Sequence, residues 1–173
     1  MTELTASHLR KQIDSGNLDS VYLVLGDDDY EKAEVADEFE ATIDEEFRPF
    51  NVSRFYGGES SLGDVLEASR TLPMMAQRRV VIVSRSELLL QPKRESQAST
   101  RALEDFDLYL RNPVPTTTLV IVAGTLDKRS KVYKSLTKSS TVTRLGALAD
   151  SCLLYTSDAA DDTPCVDLGG RRI

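Results

Sequence analysis

Apolar positions along the first 145 residues change period repeatedly, and each change marks an element. Val21-Tyr22-Leu23-Val24-Leu25 is a continuous apolar run between Ser20 and Gly26. Its length and residue types are those of a strand buried on both faces. Asp27-Asp28-Asp29 follow, and any of them can cap a helix by accepting from its free N–H groups. Ala33, Val35 or Ala36, Phe39 and Ile43 then recur at helical spacing among charged positions. Arg48-Pro49 predicts the end of that helix, and Asn51 to Tyr56 alternates as a second strand. A turn through Gly57-Gly58 carries a helix cap near Ser61, and Leu62, Val65, Leu66 and Ala68 form an apolar stripe to about Arg70. Leu72-Pro73-Met74-Met75 interrupts, because proline disfavours helical geometry at the residue before it.

Val80 to Val83 predicts a third strand, and Leu88-Leu89-Leu90 a turn of helix. A helix carrying Leu103, Phe106, Leu108 and Leu110 stops at Asn112-Pro113. Thr118 to Ala123 reads as a fourth strand, Ser130 caps a helix through Leu136, and Thr141 to Leu145 reads as a fifth strand. A short leading helix is expected from Thr5 to Ile13, with His8 on its surface. Strands separated by helices imply parallel pairing with helices on both faces. The expectation is one three-layer α/β domain over residues 1–145.

The strand, Gly turn and helix at Val21–Ile43 occupy the place where such domains hold a phosphate. The turn itself, Gly26-Asp27-Asp28-Asp29-Tyr30-Glu31-Lys32, has no second Gly and no Gly-Lys-Ser/Thr. Three carboxylates stand where a triphosphate would lie. A metal reading of that cluster is weaker than a capping one, since carboxylates at a helix start balance its dipole.

Net charge is −7, with 28 acidic against 21 basic residues, which argues against tight unassisted binding to nucleic acid. A single histidine leaves little for histidine-based catalysis or multi-histidine metal sites. No apolar run reaches membrane-spanning length and the first residues lack a signal pattern, so the cytoplasm is the expected location.

From Cys152 to Ile173 the periodicity fails. This stretch resembles an in-frame translation of a sequencing adapter, with Cys152–Asp161 like a transposon end and Cys165–Ile173 like a flow-cell primer. It is expected to be an artefact tail outside the fold, which removes any reading of its two cysteines as a disulfide or metal site. Without its four Asp and two Arg the net charge is about −5, still acidic.

Several segments resemble the N-terminal part of the delta subunit of the bacterial DNA polymerase III clamp loader. They are Val21–Asp27, Phe50–Phe55, Arg70–Met75 followed by Arg78-Arg79-Val80-Val81, Asn112-Pro113, and Ala123–Lys131. The resemblance implies a RecA/AAA+-like core with a degenerate P-loop, no ATPase activity and no cofactor or metal. It further implies a role in binding and opening the ring-shaped sliding clamp (beta). Partners would be the other loader subunits (tau/gamma and delta prime), with DNA met through the assembly of a DNA-directed DNA polymerase. A lid domain would begin over residues 146–151 and be cut short.

Clamp-binding residues carried by the resemblance are Leu72, Met74 and Met75. Adjacent methionines cannot both face one core in a regular element, and Pro73 puts them at an irregular junction, where methionine makes adaptable binding surface. Lys128, Arg129 and Lys131 are candidates for a subunit or DNA contact. Two other functions compete with this one. A drifted P-loop NTPase would need a Lys and Ser/Thr closing the turn. A receiver-like signalling domain would need an Asp after its third strand, where Val83-Ser84 stands.

Overall fold

The structure, a computed structural model, describes residues 2–92 and 96–146. The expected lid onset beyond Gly146 and the adapter-like tail lie outside the described residues.

Among the described residues, six parallel strands form one sheet in the order β1-β6-β2-β5-β4-β3: β1 Thr2–Leu4, β2 Val21–Leu25, β3 Val52–Tyr56, β4 Arg79–Ser84, β5 Thr117–Ala123 and β6 Thr141–Arg144. Seven helices among the described residues accompany them: α1 Ala6–Ser15, α2 Asp29–Ala41, α3 Arg48–Asn51, α4 Leu62–Arg70, α5 Glu87–Leu90, α6 Gln97–Arg111 and α7 Lys131–Ser139. A 3-10 turn at Glu45–Phe47 precedes α3.

Residue alternation along the strands creates two cores. Val21, Leu23 and Leu25 of β2 point to the face covered by α4, α6 and α7, which bury Leu62, Val65, Leu66, Phe106, Leu110 and Leu136. Tyr22 and Val24 point to the other face, beneath α1 and α2 with Leu9, Ile13, Val35 and Phe39. The Tyr22 and Phe39 rings meet at 4.9 Å between centroids. Both faces of β2, β4 and β5 are covered, and this is why β2, Val80–Val83 of β4 and Leu119–Ala123 of β5 are continuous apolar runs. Edge strand β3 is only partly covered and its sequence alternates instead.

One strand and several boundaries differ from the sequence reading. β1 pairs only with β6, and three residues containing Glu3 carry too little pattern to predict it. Residues 48–51 form one helical turn rather than a break, since proline fits the first turn of a helix, where its missing N–H has no intrahelical partner. Asn51 therefore ends α3 and β3 starts at Val52. β6 ends at Arg144, one residue short of the expected Leu145.

Candidate functional site

Helix α4 is fixed at its start by a reciprocal capping box between Ser61 and Asp64, and its buried stripe ties it to the sheet. Its C-cap, Thr71, is already extended, and Pro73 follows two residues later. The chain from Leu72 to Arg78 belongs to no helix or strand, and Arg79 begins β4. Leu72, Met74 and Met75 are 68 %, 57 % and 81 % exposed, so the three apolar side chains face solvent at one corner. Phe50 on α3, not singled out from the sequence, is 54 % exposed and precedes the residue that holds this corner.

That residue is Asn51, fully buried. Its Nδ2 donates to the Met74 carbonyl at 2.7 Å and to the Phe47 carbonyl at 2.9 Å, and its Oδ1 accepts from the Met74 N–H at 2.7 Å. Met75 then sits at φ +56°, in the left-handed region that bulky residues rarely adopt. Arg79 ties the same neighbourhood together by donating to the Phe50 carbonyl and the Ser53 hydroxyl, both at 2.8 Å. Arg78 donates to the Thr118 hydroxyl at 2.9 Å. Beside Met75 opens a cleft of about 520 Å³ lined by Leu18, Ile43, Phe47, Gln77 and Arg78 among others.

The degenerate phosphate turn lies at the opposite end of the sheet, at the carboxyl end of β2. The helices after β2 and β5 leave to opposite faces, so a crevice forms there, where α/β proteins commonly hold ligands. It measures about 320 Å³ and is lined by Gly26, Asp27, Gly124, Lys128, Tyr133 and Arg144 among others. Several charged groups at and beside it are already engaged. Asp28 caps α2, accepting from the N–H groups of Tyr30 at 2.8 Å and Glu31 at 3.3 Å, so a carboxylate already occupies the positive helix end. Lys32 pairs with Asp29 at 2.7 Å, and this bond holds the Asp29 carboxyl below its ordinary range. Arg144 is paired to Glu3 at 2.9 Å. Leu145 lies across Gly26, donating its N–H to the Leu25 carbonyl at 2.6 Å, and a Cβ on residue 26 would come within 2.9 Å of the Leu145 Cβ.

Lys128 and Arg129 are exposed in the loop after β5, where Asp127 accepts from the Arg129 N–H at 2.8 Å. Lys131 starts α7 beside an apolar groove of about 390 Å³ that includes Leu103, Leu108 and Val132. The three cations thus share the carboxyl end of the sheet with the degenerate turn and are not brought to the methionine corner.

The chain folds as a three-layer parallel α/β domain of RecA/AAA+-like type, and the turn after β2 lacks the Gly-Lys-Ser/Thr of a P-loop. Its likeness to a DNA polymerase III gamma subunit-related protein of Thermotoga maritima, at TM-score 0.55 and 13 % identity over 86 % of this chain and 49 % of that one, is a likeness of fold. The family described as DNA polymerase III, delta subunit, matches residues 22–145, and the chain belongs to that family. It is 32 % identical over 133 residues to DNA polymerase III subunit delta of Bacillus subtilis, covering 74 % of this chain and 38 % of that protein. The solved structure of the Bacillus subtilis DNA clamp loader delta protein superposes at TM-score 0.69 with 28 % identity, covering 80 % of this chain and 41 % of that one. The chain therefore spans about two fifths of the length of these relatives.

Proposed function

We propose that this domain engages the ring-shaped sliding clamp through Leu72, Met74 and Met75 and helps to open it during loading, without hydrolysing ATP. The observation that carries the reading is the corner itself: three exposed apolar side chains on a segment fixed from below by a buried asparagine. Exposed apolar groups on a fixed frame have little ordering left to lose when a partner covers them. The family adds the partner, since the Bacillus subtilis relative is a clamp-loader delta protein. The Asp28 cap and the Asp29–Lys32 pair support a role in which no triphosphate is bound. In a complete loader this domain would sit among the tau/gamma and delta prime subunits and meet DNA through them, with Lys128, Arg129 and Lys131 available for such contacts. Residues 1–145 act as the folded unit, and the native continuation would supply the lid.

The test mixes the full chain with the cognate clamp and follows the complex by size-exclusion chromatography with light scattering. Release of clamps preloaded on nicked circular DNA, without ATP, reports opening. A stable complex and accelerated release are expected. No complex at about 50 μM, where even about 6 kcal/mol of binding would be visible, refutes the reading.

A further inference from the structure

We infer that Asn51 is the positioning residue of the apolar corner, setting the backbone of Met74 and Met75 in the geometry that a partner recognises. This rests on the clamp-binding reading above and specifies how that surface is made. Asn51 is separated from Met74 by 23 positions and touches no solvent. A buried amide must satisfy its donors and acceptors, and here two of its three hydrogen bonds go to one residue, Met74. Accepting from the N–H and donating to the carbonyl of the same residue fixes that peptide from both sides, much as a neighbouring strand would. No helix or strand fixes the corner from Leu72 to Arg78, so Asn51 takes that place.

The residue that follows takes a left-handed backbone, which among the described non-glycine residues Arg85 alone shares. Met75 at φ +56° has no glycine to relieve it and no side-chain burial to compensate, being the most exposed of the large apolar residues. Such a conformation persists where surrounding structure over-determines it, and an observed outlier of this kind points to function. The third Asn51 bond, to the Phe47 carbonyl, anchors the amide in the turn before α3, so the corner is referred to the fold and not to a loop. Free of Asn51, the segment would sample extended conformations at Met75, and the two methionine side chains would diverge. Part of the binding energy would then go to restoring their arrangement.

The experiment uses the full chain and the cognate clamp. Hydrogen exchange of the unaltered chain comes first: the Met74 amide should exchange at least tenfold more slowly than those of Met75 and Ala76. Free exchange at Met74 overturns the inference. Asn51→Ala and Asn51→Ser are then compared with Met74→Ala/Met75→Ala by calorimetry, at a temperature where circular dichroism shows each variant folded. Asn51→Ala should weaken clamp binding at least fivefold alone and by less than twofold when added to the double methionine variant, because its effect runs through those side chains. Full affinity in a folded Asn51 variant overturns the proposal, as does an equal loss in both backgrounds, which would mark a merely structural role. Unchanged binding in the double methionine variant instead removes the clamp reading beneath it. The exchange measurement decides even where neither Asn51 variant folds.

Discussion

Replacing Met74 and Met75 together by alanine removes two of the three apolar side chains that the corner exposes. Complete burial of a methionine contributes about 1.5–3 kcal/mol. Scaled by exposures of 57 % and 81 %, the pair has about 2–4 kcal/mol to gain against a partner. Immobilising each flexible side chain takes back about 0.5–1.5 kcal/mol. Voids left in the partner's pocket add to the loss in the truncated variant. The middle of these ranges leaves about 1 kcal/mol, which the voids raise to about 1.4 kcal/mol, so clamp affinity should fall about tenfold. Alanine keeps a Cβ, so the cost of the positive φ at residue 75 is unchanged, and neither side chain belongs to a core. Folding stability should therefore stay within about 0.5 kcal/mol of the original. Isothermal calorimetry against the cognate clamp, beside thermal melts of both chains, makes the comparison. Unchanged affinity in a fully folded variant refutes the assignment, and a collapsed melt would return the methionines to a structural role.

Labelled ATP with magnesium should show no saturable binding in the micromolar range, because Asp28 and the Asp29–Lys32 pair occupy the places of phosphate and its lysine; micromolar affinity measured by equilibrium dialysis overturns this. Burial pushes the Tyr22 hydroxyl up to about 12, while an unfolded tyrosine ionises near 10. The folded form therefore holds its proton longer, and stability that is complete below about pH 10 falls by on the order of 2 kcal/mol by about pH 12. Tyr22→Phe should flatten that part of the alkaline fall in denaturant melts while costing about 1–2 kcal/mol at neutral pH, since the Asp19 N–H that now donates to the hydroxyl at 2.9 Å loses its acceptor; an identical alkaline slope in the variant contradicts the assignment. Neutralising Lys128, Arg129 and Lys131 together should leave clamp affinity measured by calorimetry within about twofold, since they lie at the opposite end of the sheet from the methionine corner; a tenfold loss would show that the carboxyl end of the sheet also meets the clamp.

Local signals were legible where one neighbourhood decides the outcome. β2, β4 and β5 stood out because helices cover both faces, leaving no polar position to interrupt the run. Pro73 placed the irregular junction before β4 because its constraint acts on the adjacent residue. Asn51 was misread for the converse reason. The stretch Asn51 to Tyr56 alternates like a strand, but the asparagine is recruited by a peptide 23 positions away, and nothing local announces that pairing. Phe50 drew no reading of its own from the sequence, and a one-turn helix leaves it largely exposed. The left-handed backbone at Met75 was equally hidden, because the sequence offers no glycine or asparagine there to suggest it. Strand order, set by long-range pairing, left only the expectation of parallel neighbours.

The direction of the sheet explains why a degenerate nucleotide turn and an apolar corner can coexist in one small domain. Every strand is parallel, so loops that follow strands gather at one end and segments that lead into strands gather at the other. The Gly26–Asp29 turn and the Lys128–Lys131 loop follow β2 and β5, whereas Met74 and Met75 lead into β4. A six-residue strand such as β4 separates the two ends by about 20 Å at roughly 3.3 Å per residue. Loss of the phosphate-binding groups therefore leaves the corner untouched, because no side chain is common to both ends. The carboxylates that now close the turn are themselves stabilising, through the Asp28 cap and the Asp29–Lys32 pair. What the turn at one end lacks is the Gly-Lys-Ser/Thr of a P-loop. What the domain keeps is a rigid sheet that holds an apolar, backbone-clamped surface at the other.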